Sequence, residues 1–104
     1  MLFRSGNLKK LWSIFTDDMD HCYFTGSLQI ERHHVFGGAN RSRSEKYGYV
    51  IPLRYDMHPN GARFRPTPEN KKLDGYLKAA CQRDYESKHG TRQQFVSEFG
   101  KSYL

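Results

Sequence analysis

The clearest hydrophobic pattern in the chain is helical and lies in its C-terminal third. Apolar residues recur at spacings of three and four between Leu73 and Tyr85, which predicts an amphipathic helix over residues 68–88. Thr67 is a favourable N-cap, and Pro68 suits the first helical position. The pattern and the capping residues therefore agree on where this helix begins.

A second, shorter helix is predicted over residues 91–99. Thr91 followed by Gln94 has the spacing of a capping box, in which each side chain bonds the other residue's backbone N–H. Apolar residues then face one side of the helix. We expect both C-terminal helices to build the core rather than a reactive site.

The first half of the chain has a β-type pattern. Residues 21–24 are aromatic and β-prone, Gly26 suits a turn, and residues 28–35 alternate loosely between apolar and polar. These features predict a hairpin of two strands. Residues 49–53 predict a further strand, and the fold class is therefore expected to be α+β.

The remaining segments are assigned by their polarity and their breaker residues. The apolar spacing in residues 8–15 predicts a short helix, so residues 1–15 are expected to form an N-terminal helical extension. Residues 40–46 are polar and read as a loop, and residues 54–66 read as irregular. Residues 16–104 are then expected to form one domain.

The composition indicates a small core built from aromatic rings. Hydrophobic residues make up 37% of the 104 positions, but aromatic residues alone make up 14%. The rings expected to pack are Tyr23, Phe24, Phe36, Tyr47, Tyr49 and Phe64. No apolar run is long enough for a membrane span or a secretory signal, and two cysteines are too few for a disulfide scaffold. We expect a soluble intracellular protein with reduced thiols.

Positive charge is concentrated in the middle of the chain. Residues 31–65 contain seven basic and three acidic residues, so they hold four of the six net positive charges. Such a patch attracts polyanions, although it also occurs as an ordinary solvated face. The arginines best suited to hold neighbouring phosphates are Arg41, Arg43, Arg54 and Arg63.

Three histidines are the candidates for chemistry. His33 and His34 are adjacent at the end of a predicted strand, and His58 lies in the basic, irregular segment. Neighbouring strand residues point to opposite faces, but both can reach one site where a strand ends. One imidazole can bind a metal ion, and another can take a proton near neutral pH. The alternative is that the pair is ordinary surface.

Three stretches of the chain resemble a known family. They are residues 33–41 (HHVFGGANR), residues 44–53 (SEKYGYVIPL) and residues 95–104 (FVSEFGKSYL). Together they resemble small phage and prophage proteins of the HNH endonuclease family. The resemblance runs from about residue 15 to the C-terminus. It implies a ββα-metal fold, in which a β-hairpin and a short helix hold one divalent cation, packed here on C-terminal helices.

The resemblance also implies a role for each matching residue. His33 would be a metal ligand, His34 the general base that activates water, and His58 a second metal ligand at the start of the motif's helix. Asn40 would match the catalytic asparagine of the motif. The implied activity is hydrolysis of phosphodiester bonds in double-stranded DNA with Mg²⁺ or Mn²⁺, by a phage-encoded protein in the bacterial cytoplasm.

The chain departs from the family at two places. Many HNH proteins have a structural zinc held by paired cysteines, but here Cys22 is followed by Thr25 at the partner position, so no structural zinc is expected. The HNH proteins that the chain resembles have a histidine where this chain has Arg63. Two histidines with water and substrate phosphate can still hold Mg²⁺ or Mn²⁺ weakly, and Asp56 is the nearest carboxylate that could add a ligand.

Two other functional classes stay open beside the nuclease. One is a protein that keeps the HNH fold with little or no catalysis and binds nucleic acid. Instead of binding nucleic acid, such a protein could be a phage inhibitor that binds a host nuclease or another defence protein. The other class is a structural phage protein unrelated to nucleic acid. No membrane partner is expected.

Overall fold

The computed structural model describes residues 10–104, which form an α+β fold, as predicted. Two short strands form an antiparallel sheet, with one helix inserted between them and two helices after them. The elements in chain order are β1 (Ile30–His34), a 3-10 turn (Gly38–Asn40), α1 (Arg41–Tyr47), β2 (Val50–Arg54), α2 (Pro68–Lys88) and α3 (Arg92–Phe99).

The strand pairing differs from the predicted one. The strand that begins at Ile30 pairs with β2, so the hairpin predicted between residues 21–24 and 28–35 is wrong. The first of these segments closes on itself instead, because the N–H of Gly26 donates to the carbonyl of Cys22 at 2.9 Å. Tertiary contacts thus override the β propensity of the aromatic run.

Helix α1 lies where the sequence predicted a loop, over residues 40–46. The helix was not predicted because its sequence is polar: only two of its seven residues are buried, and its apolar residues show no helical spacing. The helix is fixed by Ser44, whose hydroxyl donates to the carbonyl of Phe36 and accepts from its N–H, at 2.7 and 3.0 Å. Gly48 ends it in the left-handed conformation, with φ +78°.

Both C-terminal helices are confirmed, together with their caps. At the start of α2 the side chain of Thr67 accepts from the N–H of Asn70 at 3.1 Å. At the start of α3 the capping box between Thr91 and Gln94 is complete. Local sequence signals alone determine these boundaries.

The core is rich in aromatic rings, and it lies between the sheet and the two C-terminal helices. Phe36 is central, with its ring centroid 4.6 Å from that of Phe99 and 5.7 Å from that of Phe95. Three of the six rings predicted for the core are there, namely Phe36, Tyr47 and Tyr49, while Tyr23 and Phe24 are exposed and Phe64 is half-buried.

The N-terminal extension predicted over residues 1–15 falls partly outside the described residues. Residues 10–15 contain no helix, which corrects that part of the prediction. They lie across the corner between α1 and β2, where the N–H of Ile14 donates to the carbonyl of Gly48 at 2.9 Å. The Trp12 ring contacts the same glycine.

Both cysteines are buried free thiols. Cys22 is thus a small buried apolar group, as predicted. Burial raises the pKa of the Cys81 thiol. Within residues 10–104, none of the helices combines the length and the apolar character needed to cross a membrane.

The substitution Gly75→Ala in α2 is expected to stabilise the protein by about 0.5–1 kcal/mol, because alanine restricts the unfolded chain and favours the helix. No atom lies within 4 Å of the position that the new Cβ would occupy. The free energy of unfolding from urea denaturation measures the effect. A loss of stability would show that this position is not an open helical site.

The substitution Gly48→Ala is expected to destabilise the protein by more than the about 1–2 kcal/mol that a left-handed alanine costs. A Cβ there would lie 2.7 Å from the Trp12 ring, so a steric clash adds to the strain. Urea denaturation of Gly48→Ala and of the double variant Trp12→Ala/Gly48→Ala separates the two effects. The double variant should be less destabilised by the glycine change, but not fully restored.

Candidate active site

A cleft of about 230 Å³ lies between the end of β1, the loop after β2 and the first half of α2. All three candidate histidines line it. A larger cavity of about 580 Å³ lies along residues 10–20 and Arg32, and no histidine lines it. We therefore treat the smaller cleft as the candidate active site; its charged and imidazole side chains are Arg32, His33, His34, Arg41, His58, Asp74 and Lys78.

His33 and His34 are the last two residues of β1, where they face Ile51 and Val50 of the partner strand. Only 6% of His33 and 8% of His34 is exposed, although both line the cleft. The expectation that a strand end lets neighbouring imidazoles reach one site is met. Both rings are therefore largely shielded from bulk water at the wall of the cleft.

The Nε2 atom of His33 is buried and has no hydrogen-bond partner. Its nearest acidic atom is Oδ1 of Asp74, 3.8 Å away. Burial lowers the pKa of His33, which keeps the ring neutral at pH 7. A neutral imidazole with an unused nitrogen is a suitable metal ligand.

His58 lies in the turn after β2 with its ring centroid 5.0 Å from that of His33. Its Nδ1 is 2.7 Å from Oε1 of Glu31, a residue of β1. The hydrogen bond from His58 lowers the pKa of Glu31, so the carboxylate is the acceptor and Nδ1 the donor. In the neutral ring Nε2 then keeps its lone pair, as in metal-binding histidines oriented by a carboxylate.

His34 is oriented by a carboxylate from α1. Its Nε2 lies 2.8 Å from Oε2 of Glu45, whose side chain is itself largely buried. Arg41 lies 4.0 Å from the same oxygen. When the carboxylate accepts the Nε2 proton, Nδ1 of the neutral ring is left as a base.

The structure does not bring Asn40 to the three imidazoles. Its Nδ2 donates to the carbonyl of Phe99 at 3.3 Å, and its Oδ1 accepts from Arg43 at 3.0 Å. It is not among the residues that line the cleft. Its amide joins the start of α1 to the end of α3, which is a structural contact.

Only one of the four predicted phosphate-binding arginines, Arg41, lines the cleft. Arg43 binds the Asn40 side chain, and Arg54 forms two hydrogen bonds of 2.7 and 2.8 Å with Asp56. Arg63 lies over the Tyr55 ring, 4.1 Å from its centroid. Arg63 also donates to the carboxylate that orients His58, at 3.4 Å.

Asp56 was expected to supply a carboxylate ligand, but its hydrogen bonds instead hold together the loop that follows β2. Its carboxylate is paired with Arg54, and its carbonyl accepts from the N–H of Arg65 at 2.8 Å and from Asn70 at 3.3 Å. These contacts close the segment that carries His58. The expectation that Asp56 contributes a ligand is therefore corrected, and the carboxylate that faces His33 comes from α2.

Sequence reasoning missed four charged side chains of the site. Glu31 and Glu45 hold two of the histidines, and Asp74 and Lys78 lie on the cleft wall. The spacing of Asp74 and Lys78 could have indicated their pairing, because they lie one helical turn apart, next to the buried Leu73 and Leu77. Glu45 had no such signal, because it lies on the helix that was predicted as a loop.

No group of three or more His, Cys, Asp or Glu side chains within residues 10–104 is arranged to hold a metal ion. The unpaired Nε2 of His33 is still a nitrogen donor inside the cleft, and an anionic oxygen faces it. The donor chemistry of the cleft therefore fits a divalent cation that takes its remaining ligands from water and substrate.

Comparisons of the chain with protein-family models, curated proteins and solved structures found no match. Membership of the HNH endonuclease family stays a prediction from the resemblance.

The substitution Asp56→Asn is expected to weaken the protein at neutral pH and much less in acid. The hydrogen bonds from Arg54 lower the pKa of Asp56 below its usual value of 3.8. A depressed carboxyl pKa stabilises the fold above the unfolded-state pKa, and this stabilisation is lost as the pH falls through the folded-state pKa. Urea midpoints of the two proteins at pH 7 and pH 3 measure it; an equal difference at both would contradict the assignment.

Proposed function

We propose that the protein is a metal-dependent endonuclease of the HNH type that hydrolyses phosphodiester bonds in DNA. The observation that carries this proposal is the meeting of His33, His34 and His58 at one cleft. They come from a strand end and from a turn 24 residues further along the chain. Two of them are each oriented by a separate carboxylate.

His34 acts as the general base. Glu45 holds the ring through Nε2, so Nδ1 removes a proton from the water that attacks phosphorus. Glu45 is a positioning residue, because it fixes the tautomer and stabilises the imidazolium that forms. Burial of both side chains limits the competition of bulk water for this contact.

His33 and His58 would hold one Mg²⁺ or Mn²⁺. When bound, the ion would supply positive charge to stabilise the transition state at phosphorus and the leaving oxygen. Glu31 orients the His58 ring, and Arg63 holds the other oxygen of Glu31. Arg63, at the position where the HNH proteins that the chain resembles have a histidine, would act through the carboxylate that positions a ligand.

The order of the secondary structure supports a ββα-metal arrangement. Strands β1 and β2 pair antiparallel, and α2 follows them in the chain. Two residues of α2, Asp74 and Lys78, line the cleft. Two features depart from the expected motif, since α1 is inserted between the strands and His58 precedes α2 by ten residues. His58 is therefore in a turn rather than at the start of the helix.

We propose double-stranded DNA as the substrate, a polyanion that a formal net charge of +6 attracts. Arg41 lines the cleft with its side chain largely exposed, whereas Arg32 and Lys78 line it paired with carboxylates, those of Asp20 and Asp74. Cationic side chains around the reacting centre hold neighbouring phosphates and position the strand. As part of the same proposal, the protein is encoded by a phage and acts in the cytoplasm of the bacterial host.

Cleavage of supercoiled plasmid with Mg²⁺ or Mn²⁺ tests the assignment. His34→Ala should lower the rate by at least about 100-fold, because the general base is lost. Glu45→Gln should lower it by about 10-fold, since the ring stays but its tautomer is no longer fixed.

His21→Ala is the matched control for the plasmid assay. His21 also lies 2.7 Å from a carboxylate, that of Asp18, but both are exposed and away from the cleft. Its cleavage rate should equal that of the wild type. Full activity of His34→Ala would refute the catalytic assignment, and no cleavage by the wild type with either ion would refute the nuclease.

The cationic side chains of the cleft favour DNA binding as the second function if cleavage is absent. Affinity carried by several phosphate contacts falls steeply between about 50 and 200 mM salt. Such a fall without cleavage identifies a nucleic-acid-binding protein. A flat salt response points to a protein partner, such as a host nuclease or defence protein.

A further inference from the structure

We infer that Asp74, on α2, is a carboxylate ligand of the divalent cation and binds it together with His33. The inference rests on the proposed function, because it completes the metal site of that same cleft. It assigns to a helix outside the strand pair the ligand that Asp56 does not provide. It also explains why a buried nitrogen has no protein partner.

The spacing of the two facing atoms supports a shared ion. Nε2 of His33 and Oδ1 of Asp74 are 3.8 Å apart, too far for a hydrogen bond. One cation bound to both at about 2.1 Å would have a ligand–metal–ligand angle of about 130°, wider than the roughly 90° between neighbouring ligands of an octahedron. The gap therefore admits a shared ion, and binding would draw the two atoms closer together.

His33 lacks any hydrogen-bond partner at Nε2. Its side chain is more than nine-tenths buried, and the residue lines the cleft. A buried polar atom without a partner costs about 1–3 kcal/mol, so such atoms usually have a ligand or water. Asp74 does not satisfy it directly, because a separation of 3.8 Å is too long for a hydrogen bond.

The carboxylate of Asp74 is held in place. Lys78, one helical turn further on, lies 2.5 Å from Oδ2 of Asp74, which leaves Oδ1 facing His33. A carboxylate oxygen and an imidazole nitrogen that face each other are both donor types that bind divalent metal ions.

The proposed coordination suits Mg²⁺ or Mn²⁺. Mg²⁺ is commonly bound by one or two carboxylates, and it keeps several waters and takes substrate phosphate oxygens. A site completed by water and phosphate agrees with the lack of a closed set of three protein ligands within the described residues 10–104. His58 lies beside the pair and lines the same cleft.

Mn²⁺ binding to the full chain without DNA, followed by electron paramagnetic resonance, tests the inference. Asp74→Asn keeps the side-chain shape but removes the charge, and it should weaken Mn²⁺ affinity by at least about 10-fold. Asp84→Asn is the matched control, because Asp84 pairs with Lys88 one turn on in the same helix, at 2.8 Å. It should change the affinity by less than about twofold. Thermal melts establish that each variant is folded at the assay temperature.

Two results would overturn the role of Asp74. One is wild-type Mn²⁺ affinity in Asp74→Asn while His33→Gln loses binding; the other is a wild-type protein that binds no Mn²⁺ at millimolar concentration. Plasmid cleavage by the wild type, assayed in parallel, separates this inference from the nuclease. Cleavage that Asp74→Asn leaves intact contradicts Asp74 alone. Mn²⁺ binding that depends on Asp74 in a protein that cuts no DNA supports the site and refutes the nuclease.

Discussion

The antiparallel pairing of β1 with β2 is the constraint on which the rest of the structure depends. Strand β2 is buried from Val50 to Leu53, so its position is set by the core, and β1 is aligned against it residue by residue. A shift of one residue in this register would turn every β1 side chain to the opposite face. The register therefore decides that His33 and His34 end the strand at the cleft, and that Glu31 comes within reach of His58 from the same strand.

Local signals were enough for the C-terminal helices and for the positions of β1 and β2, but they failed for α1 and for the pairing of the strands. Both C-terminal helices have apolar periodicity and capping residues, which are short-range effects that a sequence displays directly. Helix α1 depends instead on Ser44, a polar residue buried by two hydrogen bonds to Phe36. The run around Tyr23 looks like a strand because it is aromatic, but its surroundings leave it exposed. Burial and pairing partners are long-range properties, and the sequence pattern does not contain them.

The same division applies to the candidate site. Histidines are conspicuous because few other side chains change charge near neutral pH, so the three imidazoles were identified from residue type alone. Their carboxylate partners were not, since Glu45 comes from the misassigned helix and Asp74 lies 41 residues beyond His33. Arg54 and Arg63 were grouped with the phosphate contacts by charge, yet each has a carboxylate neighbour in the fold. Charge counted along a chain does not distinguish a paired guanidinium from one that is available to a ligand.

Pro52, in the middle of β2, has a consequence for how copies of this protein behave together. Its carbonyl accepts from the N–H of Tyr23, which places the backbone polar groups of this residue on the side away from β1. Proline has no N–H, so that outer side lacks a donor that an incoming strand would need. A two-stranded sheet is otherwise open to extension by a neighbouring molecule. The proline and the turn beside it thus make the outer edge of β2 a poor partner for a strand of a neighbouring molecule.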